Sequence, residues 1–343
     1  MTSRTTSASW LRGALELLQG AGLSAERLVE AAHMRPEELS NSEARAPTER
    51  VSALWRAAVE LSGDPAIGLV GSGQPKPGNF DVVGFVMLSA HNLRASLQAF
   101  ARHMRLVSDA AQIEIEDAAE GVRMNFHLFG GRDPIPRQRV EFDLLVVLTF
   151  CRWVSGRAIA PLELALAWPP CDYAGRMAAA FGCPIRFDAA LNGLTFRPED
   201  LKTPLPAWNP MVAKAHDHIV RERLAAFDGA SLSVRVRDEI ARRLGEGELR
   251  RPTIAAALNL SDRTLRRRLQ DENVSYEKLL DATRCDFAQH YLSRPSLSLT
   301  EIGYLLGFGD PSAFFRACRR WFGEPPAQFR ARLRATRDGA TGS

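Results

Sequence analysis

Long apolar runs are missing from this 343-residue sequence. No segment reaches the ~18 consecutive apolar residues that a membrane-spanning helix needs. The most apolar stretch, FDLLVVLTFCRWV (142–154), is short and contains Asp143 and Arg152, so it predicts a buried helix instead. The N-terminus also lacks an apolar core followed by a small-residue cleavage site, the pattern of a secretory signal. We therefore expect a cytoplasmic protein without a membrane segment.

Cysteine is scarce and irregularly placed. The five cysteines form no C-x-x-C pair, and they lie at Cys151, Cys171, Cys183, Cys285 and Cys318. An odd, scattered set is not the framework of a disulfide-stabilised secreted domain. The pattern predicts reduced thiols in the protein core.

Recognisable catalytic and metal-binding motifs are absent. The sequence contains no H-E-x-x-H, G-x-S-x-G or P-loop pattern. The glycine-rich GSGQPKPG (71–78) lacks G-K-[ST] and predicts a plain loop. His216 and His218 are two residues apart, so on a helix they diverge and make a poor metal pair. We assign no catalytic residue, no metal and no cofactor, and expect a protein that is not an enzyme.

Positive charge is concentrated in the C-terminal third. Residues 230–343 hold 20 basic against 14 acidic side chains, a net charge of +6, and nineteen of the twenty bases are arginine. Residues 1–229 hold 24 against 26, a net charge of −2. A basic end on a near-neutral body suggests a polyanionic partner, although solvated helix faces would account for the charge alone equally well.

The N-terminal half alternates between helical and strand-like patterns. A helix is expected in PTERVSALWRAAVELSG (47–63), with Thr48 as its N-cap and Gly63 as its end, and a long helix ends at Gly156. AQIEIED and GVRMNFHLF alternate in period two around AAEG and predict a hairpin. Further on, we expect a strand in PLELALAWPP, then helix, strand, a turn at Asn192–Gly193, and strand. These patterns predict an α+β domain.

A proline-rich stretch divides the chain. LKTPLPAWNP (201–210) contains three prolines and cannot form a continuous helix. We place an N-terminal domain at 1–205, a helical connector at 206–230, an all-α domain at 231–335 and a disordered tail at 336–343.

The all-α region contains an internal repeat. Each copy reads as a helix, a tight turn and a second helix, the helix-turn-helix arrangement. Matching positions of the two copies are 48 residues apart before the turn and 49 residues apart after it, so the turn of the second copy is one residue longer. The apolar positions Ile254, Leu258, Leu260, Leu265 and Leu269 recur as Ile302, Leu306, Phe308, Phe314 and Cys318.

The second helix of each copy, 262–270 and 311–322, has an arginine-rich outward face on a helical wheel. In the first copy Arg263 and Arg267 point outward, Arg266 lies at the flank and Arg268 falls toward the apolar edge. In the second copy the outward residues are Ser312, Arg316, Arg319 and Arg320. Ser261 and Asp310 are suitable N-caps, and Pro311 then takes the first helical position. A short exposed helix of this kind fits the major groove of double-stranded DNA, where arginine can contact guanine or clamp a phosphate.

One helix separates the two copies. Tyr276–Leu292 would be roughly 25 Å long at ~1.5 Å per residue. Such a rod could hold two reading helices about one DNA turn, ~34 Å, apart. The repeat therefore predicts a single chain that reads two successive major grooves.

These features resemble the AraC/XylS family of transcription regulators. The resemblance spans about 233–334, and the signature residues are Ile302, Gly307, Phe308, Phe314, Arg316, Phe322, Gly323, Pro326, Phe329 and Arg330. It implies base contacts from Arg263, Arg266, Arg267, Ser312 and Arg316. Asn273 stands where glycine is usual, but asparagine tolerates left-handed geometry.

The N-terminal half is similar to the effector-binding and dimerisation domain of a subgroup of that family. VVGFVMLSAHNLRASLQAFARHMRLVSDAA and FGCPIRFDAALNGLTF carry this likeness. It implies a small-molecule effector, whose binding residues are unknown, a homodimer, and an activator that works with RNA polymerase.

Two alternatives stay open at the level of sequence. One is an enzymatic or DNA-repair-like N-terminal domain that the C-terminal module delivers to DNA. The other is a nucleoid protein that binds DNA without sequence preference. The modest net charge of +6 in the C-terminal third argues against this alternative.

Overall fold

The computed structural model describes residues 4–41, 43–73, 75–130, 134–230, 232–246, 249–292 and 297–338. The chain forms two compact units, Arg4–Arg223 and a second that begins at Leu224. The proline-rich stretch is not a continuous helix: the chain is non-helical from Thr203 to Asn209, and a long helix begins at Pro210. Each unit has its own core.

The first unit combines helices with two sheets. Its helices are α1 (Ala8–Gly20), α2 (Ala25–Ala31), α3 (Pro36–Ser40), α4 (Thr48–Ser62), α5 (Asp81–Leu88), α6 (Leu93–Val107), α7 (Arg137–Ser155), α8 (Ala174–Phe181), α9 (Pro198–Lys202) and the start of α10 (Pro210–Ala230). Its strands are β1 (Thr5–Ser7), β2 (Arg45–Pro47), β3 (Ala111–Ala118), β4 (Gly121–Leu128), β5 (Glu163–Ala165), β6 (Ile185–Arg186) and β7 (Asn192–Phe196). This unit has the expected α+β fold.

The larger sheet has the order β3-β4-β7-β5-β6, and β1 pairs with β2 in a separate antiparallel ribbon. The predicted hairpin is confirmed, since β3 and β4 pair antiparallel with Ala118 opposite Gly121. Only β5 and β6 run parallel among the described strands. Helix α7 packs against β7 of this sheet.

The turn predicted at Asn192–Gly193 is wrong. Both residues belong to β7, which pairs with β4 and β5, so β6 and β7 are not a hairpin. Glycine is needed there for close approach rather than for a turn, because a Cβ on Gly193 would lie 2.3 Å from the carbonyl oxygen of Met124. The chain reverses before Asn192.

Two predicted helix ends in this unit are confirmed, and one predicted N-cap is wrong. Gly63 and Gly156 end α4 and α7 in the left-handed conformation, at φ 64° and 63°. Thr48 is not the N-cap of α4; Pro47 is, and it gives no side-chain cap. The Thr48 hydroxyl instead donates to the carbonyl oxygen of Phe129 at 3.2 Å and accepts from Arg139 at 2.9 Å.

Helix α7 is the buried helix that its apolar sequence predicts. Phe142 lies against Trp55 and Trp10, with ring centroids 4.7 and 6.0 Å apart, and Phe150 lies 4.7 Å from Phe80. No helix in the described part of the chain is long and apolar enough to cross a membrane. None of the five cysteines, all of which lie in the described residues, forms a disulfide, and Cys171 and Cys285 are half-buried rather than in the core.

The second unit is all-α, as expected. It comprises the end of α10, α11 (Leu232–Arg243), a 3-10 turn (Leu244–Glu246), α12 (Arg251–Ala257), α13 (Asp262–Asp271), α14 (Tyr276–Leu292), α15 (Leu299–Leu305), α16 (Pro311–Phe322) and α17 (Pro326–Asp338). One continuous hydrophobic cluster contains residues from all the helices from α11 to α17. The tail expected at 336–343 begins inside α17, and 339–343 lie outside the described residues.

Candidate nucleic-acid interface

The sequence repeat is a repeat in structure. Helices α12 and α13 form one helix-turn-helix, and α15 and α16 form the other. The connecting segments are 258–261 and 306–310, so the second is one residue longer, as the offset indicates. The repeated apolar residues are buried or half-buried in the common cluster. Each second helix is therefore braced by its first.

The start of each reading helix is fixed by the predicted cap. The backbone N–H of Thr264 donates to Ser261 Oγ at 3.1 Å, and that of Ser312 donates to Asp310 Oδ1 at 3.0 Å. Pro311 occupies the first helical position of α16, where a missing N–H costs no helical bond. These caps set where the exposed residues of each helix begin.

The predicted site residues lie on exposed helix faces. Leu265 and Leu269 of α13 and Phe314 and Cys318 of α16 are buried at 1 % exposure or less. The exposed residues include Arg263, Arg266, Arg267, Ser312, Arg316, Arg319 and Arg320. Arg268, which the wheel places toward the apolar edge, is exposed too.

The six predicted arginines differ in what they already contact. Arg320 forms an ion pair with Asp281 of α14. Within the described residues the side chains of the other five, Arg263, Arg266, Arg267, Arg316 and Arg319, form no hydrogen bond or ion pair with protein. Their guanidinium groups keep all five N–H donors for an external acceptor.

One apolar residue on this face was not predicted. Phe315 of α16 is 38 % exposed although its neighbour Phe314 is fully buried. On a helical wheel at ~100° per residue Phe315 falls beside Arg319. A large apolar residue at an outward position is a signal that the sequence already carries, and such a ring can meet the methyl group of thymine.

Helix α14 is tied to both helix-turn-helix modules. At its N-terminus the Tyr276 hydroxyl donates to the carbonyl oxygen of Leu249, 2.8 Å away, just ahead of α12. Farther along, Arg284 donates from Nε to the carbonyl oxygen of Leu306 at 2.9 Å and from Nη2 to that of Gly307 at 2.7 Å. These bonds link the spacer helix directly to the first module and to the turn of the second.

A further ion pair holds the first module together. Arg251 of α12 donates from Nε and Nη2 to the two carboxylate oxygens of Asp262, at 2.6 and 2.8 Å. This bidentate contact lowers the pKa of Asp262 below its usual value. It fixes the N-terminal turn of α13 against α12, next to the exposed arginines.

Comparisons with known proteins agree with this architecture. Residues 22–205, over half of the chain, match the family described as the N-terminal arabinose-binding domain of AraC transcription regulator. Residues 254–332 match a helix-turn-helix domain family. The two matches cover the two regions that the sequence divides at the prolines.

Individual relatives are similar along much of their length. The ornithine utilization regulator of Pseudomonas aeruginosa is 28% identical over 334 residues, which covers 96% of this chain and 97% of the relative. The transcriptional regulator VirS of Mycobacterium tuberculosis is 28% identical over 251 residues, 73% of this chain and 74% of VirS. The crystal structure of the transcriptional regulator CdpR from Pseudomonas aeruginosa is 22% identical, covers 92% of this chain and 97% of CdpR, and superposes with a TM-score of 0.44.

These families and relatives are transcription regulators, not enzymes, and the alternative of an enzymatic N-terminal domain finds no support in them. The N-terminal region is a ligand-binding domain and the C-terminal region a DNA-binding helix-turn-helix domain. The chain belongs to the AraC family of transcription regulators.

Proposed function

We propose that this chain is an effector-responsive transcription activator that reads two successive major grooves with α13 and α16. The observation that supports it most is that five exposed arginines on these two helices form no hydrogen bond or ion pair with any residue that the structure describes. Arginine that hydrogen-bonds guanine O6 and N7 in two places gives ~1–3 kcal/mol of discrimination against a wrong base. Both helices therefore carry donors suited to sequence-specific contacts.

The spacer supports reading by one chain. Helix α14 contains 17 residues, which corresponds to roughly 25 Å of helix. The bonds of Tyr276 and Arg284 join it to both modules. Because both modules also pack into one hydrophobic cluster, the two reading helices keep a fixed separation, and a site with matching half-site spacing binds best.

The exposed residues divide by role in this proposal. Arg263, Arg266, Arg267, Ser312 and Arg316 contact bases. Arg319 and Arg320 face the phosphate backbone, since the contact of Arg320 with Asp281 holds that guanidinium at the flank. Phe315 adds an apolar contact to the second groove.

The remaining parts of the function are inferred from the family. The N-terminal domain binds a small-molecule effector and pairs two chains, and bound protein recruits RNA polymerase. As a protein that acts on the genome, it works in the cytoplasm. An effector shifts activity only if it binds two arrangements of the protein with unequal affinity.

Genome-wide mapping of bound DNA followed by footprinting of one site tests this proposal. We expect at least ~10³-fold preference for that site over random DNA. Arg267→Ala and Arg316→Ala should each lose ~1–3 kcal/mol of binding and relax base choice at one position. Uniform weakening on all sequences would make these residues phosphate contacts, and a footprint that never localises would favour the non-specific nucleoid protein.

A further inference from the structure

An exposed apolar patch in the first unit lies along the N-terminal half of α10. It holds five of the eight large apolar side chains that are exposed among the described residues, and each of the five is between 42 and 81 % exposed. We call these residues, Phe85, Trp208, Met211, Val212 and Ile219, the α10 patch. A large apolar patch on a protein surface marks a candidate interaction site.

One face of α10 packs on the first unit, and the opposite face is open. Val220 is fully buried. One turn earlier, His216 shares a hydrogen bond of 2.9 Å between its Nδ1 and the hydroxyl of Ser89, and its ring lies 5.9 Å from that of Phe85. These contacts fix the rotation of the helix about its axis. The residues on the other side of α10 are therefore held away from the domain core.

The open face repeats at the spacing of a coiled coil. Val212, Ala215, Ile219 and Glu222 follow one another in steps of three, four and three residues, and all four are exposed. Trp208, directly ahead of the helix, extends the series by one step of four. Alternating steps of three and four residues keep one face of a helix against a partner helix. The open face therefore suits a second helix with the same spacing.

A second copy of the same helix has that spacing. In an antiparallel pair whose two-fold axis lies midway between Val212 and Ala215, Val212 lies opposite the partner's Ala215, and Trp208 lies opposite the partner's Ile219. All the facing positions are then apolar, and in each layer a larger side chain meets a smaller one, which favours close packing. Glu222 lies beyond these layers, at the rim.

The charged residues beside the α10 patch are already paired within the chain. The pairs are Asp217 with Arg221, His218 with Glu222, and Arg223 with Glu43. Burial against an identical surface therefore brings no excess charge of one sign into the interface. Nucleic acid and anionic membranes are recognised instead by clusters of unpaired basic residues. The charges thus favour a copy of this chain as the partner.

The size of the α10 patch suits the apolar centre of a dimer interface. A large side chain covers ~200 Å², and about half of each of these five is exposed, so together they present on the order of 500 Å². A specific interface buries ~800 Å² on each partner, with an apolar centre and a polar rim. Exposed Ala215, His218 and Glu222 lie where they add to that rim.

We propose that the α10 patch joins two copies of this chain through an antiparallel pair of α10 helices, with Phe85 at the edge of the contact. The inference rests on the proposed function only in expecting that the chain pairs. The contact itself is made by residues of the first unit and requires neither DNA nor an effector.

Sedimentation of the full-length protein over a wide range of concentrations tests the surface. We expect the unchanged chain to form a dimer that dissociates on dilution. Ala215→Glu should weaken this dimer roughly tenfold or more, because it places a charge in the apolar centre. Ile219→Ser should also weaken it, by removing apolar contact without adding a charge. Circular dichroism checks that both variants keep the helical content of the unchanged chain.

Lys214→Glu is the matched control. Lys214 is the neighbour of Ala215, is exposed on the same helix and receives the same new side chain, but it lies outside the repeat of three and four residues. This variant should dimerise as tightly as the unchanged chain. Ile219→Cys tests the antiparallel order: the two copies of this residue would be ~16 Å apart along the helix axis, too far for a disulfide. A disulfide between them would contradict that order.

Two results would overturn the inference. One is a dimer that Ala215→Glu and Lys214→Glu weaken equally or leave unchanged; this result refutes the surface but not the pairing of chains, since the copies then meet elsewhere. The other is an unchanged chain that stays monomeric at every concentration, which refutes the surface and the pairing together. Footprinting with the same preparations reports on DNA reading separately, because a localised footprint with a monomer would leave the reading of DNA intact.

Discussion

The guanidinium of Arg284 lies over the ring of Phe308, 4.4 Å from its centroid, while its N–H groups bond the carbonyl oxygens of Leu306 and Gly307. One side chain of the spacer helix thus holds the turn of the second helix-turn-helix through stacking and two hydrogen bonds. This contact joins the turn ahead of α16 to α14, in addition to the packing of both helices in the common hydrophobic cluster.

Arg284→Met should destabilise the DNA-binding domain by about 2 kcal/mol, since it leaves two carbonyl groups without their charged donor. Binding to the two-groove site should weaken further because the second module loses its anchor. Chemical denaturation and a DNA titration measure the two effects. Lys278→Met removes an exposed cation from the same helix and should leave the denaturation midpoint unchanged; equal effects of the two variants would show that the Arg284 contact is unimportant.

Gly307→Ala should destabilise the same domain by about 1–2 kcal/mol, because a side chain is unfavourable in left-handed backbone. Gly307 has φ 70°, and a Cβ there would lie 3.0 Å from Leu249. The control is Gly309→Ala, two residues away, where a Cβ meets nothing within 4 Å. Thermal denaturation should separate the two variants, and identical melting temperatures would contradict the role given to this turn.

Phe314→Ala should cost about 3–5 kcal/mol of unfolding free energy by opening a cavity at a fully buried position. Phe315→Ala, at the neighbouring exposed position, should change stability by no more than about 0.5 kcal/mol. It should instead weaken binding to the cognate site. A reversed pattern in denaturation experiments would mean that the two faces of α16 are wrongly assigned.

Stability should fall as pH rises from about 4.5 to about 7 because of Glu141. Burial raises the pKa of this carboxyl to about 7 despite the hydrogen bond from Tyr173. The folded form therefore binds a proton that the unfolded chain has already released, and the cost of ionising Glu141 is complete above pH 7. Glu141→Gln should flatten the dependence of unfolding free energy on pH across this window. The contribution of Glu141 that is lost amounts to about 3 kcal/mol at most. An unchanged slope in denaturant titrations would be inconsistent with a buried ionisable Glu141.

Local sequence signals predicted the DNA-binding half well. The caps at Ser261 and Asp310 lie where short-range hydrogen bonding places them. Asn273 adopts the left-handed geometry expected of it, at φ 56°. Such features depend on a few neighbouring residues, so a sequence is enough to predict them.

Contacts between distant residues could not be predicted in this way. Thr48 was expected to cap its own helix, yet its hydroxyl bonds to Arg139, 91 residues away. The Asn192–Gly193 pair has the composition of a turn but lies in β7, because Gly193 lets that strand approach Met124. Arg139 and Asp143 of α7 are buried near Thr6 and Phe100, and no short pattern in the sequence brings these residues together.

The spacing of the two half-sites tests the central claim most directly. Affinity would be measured by DNA titration for the mapped site and for versions with ~5 or ~10 extra base pairs between the two grooves that α13 and α16 read, half and one full helical turn. If α14 fixes the separation within one chain, both insertions reduce binding to that of a site with one groove destroyed, and Arg316→Ala then has no further effect on the inserted sites. Full recovery with the one-turn insertion would contradict the claim, because it would show that the two reading helices are not held at a fixed distance by a single rigid spacer.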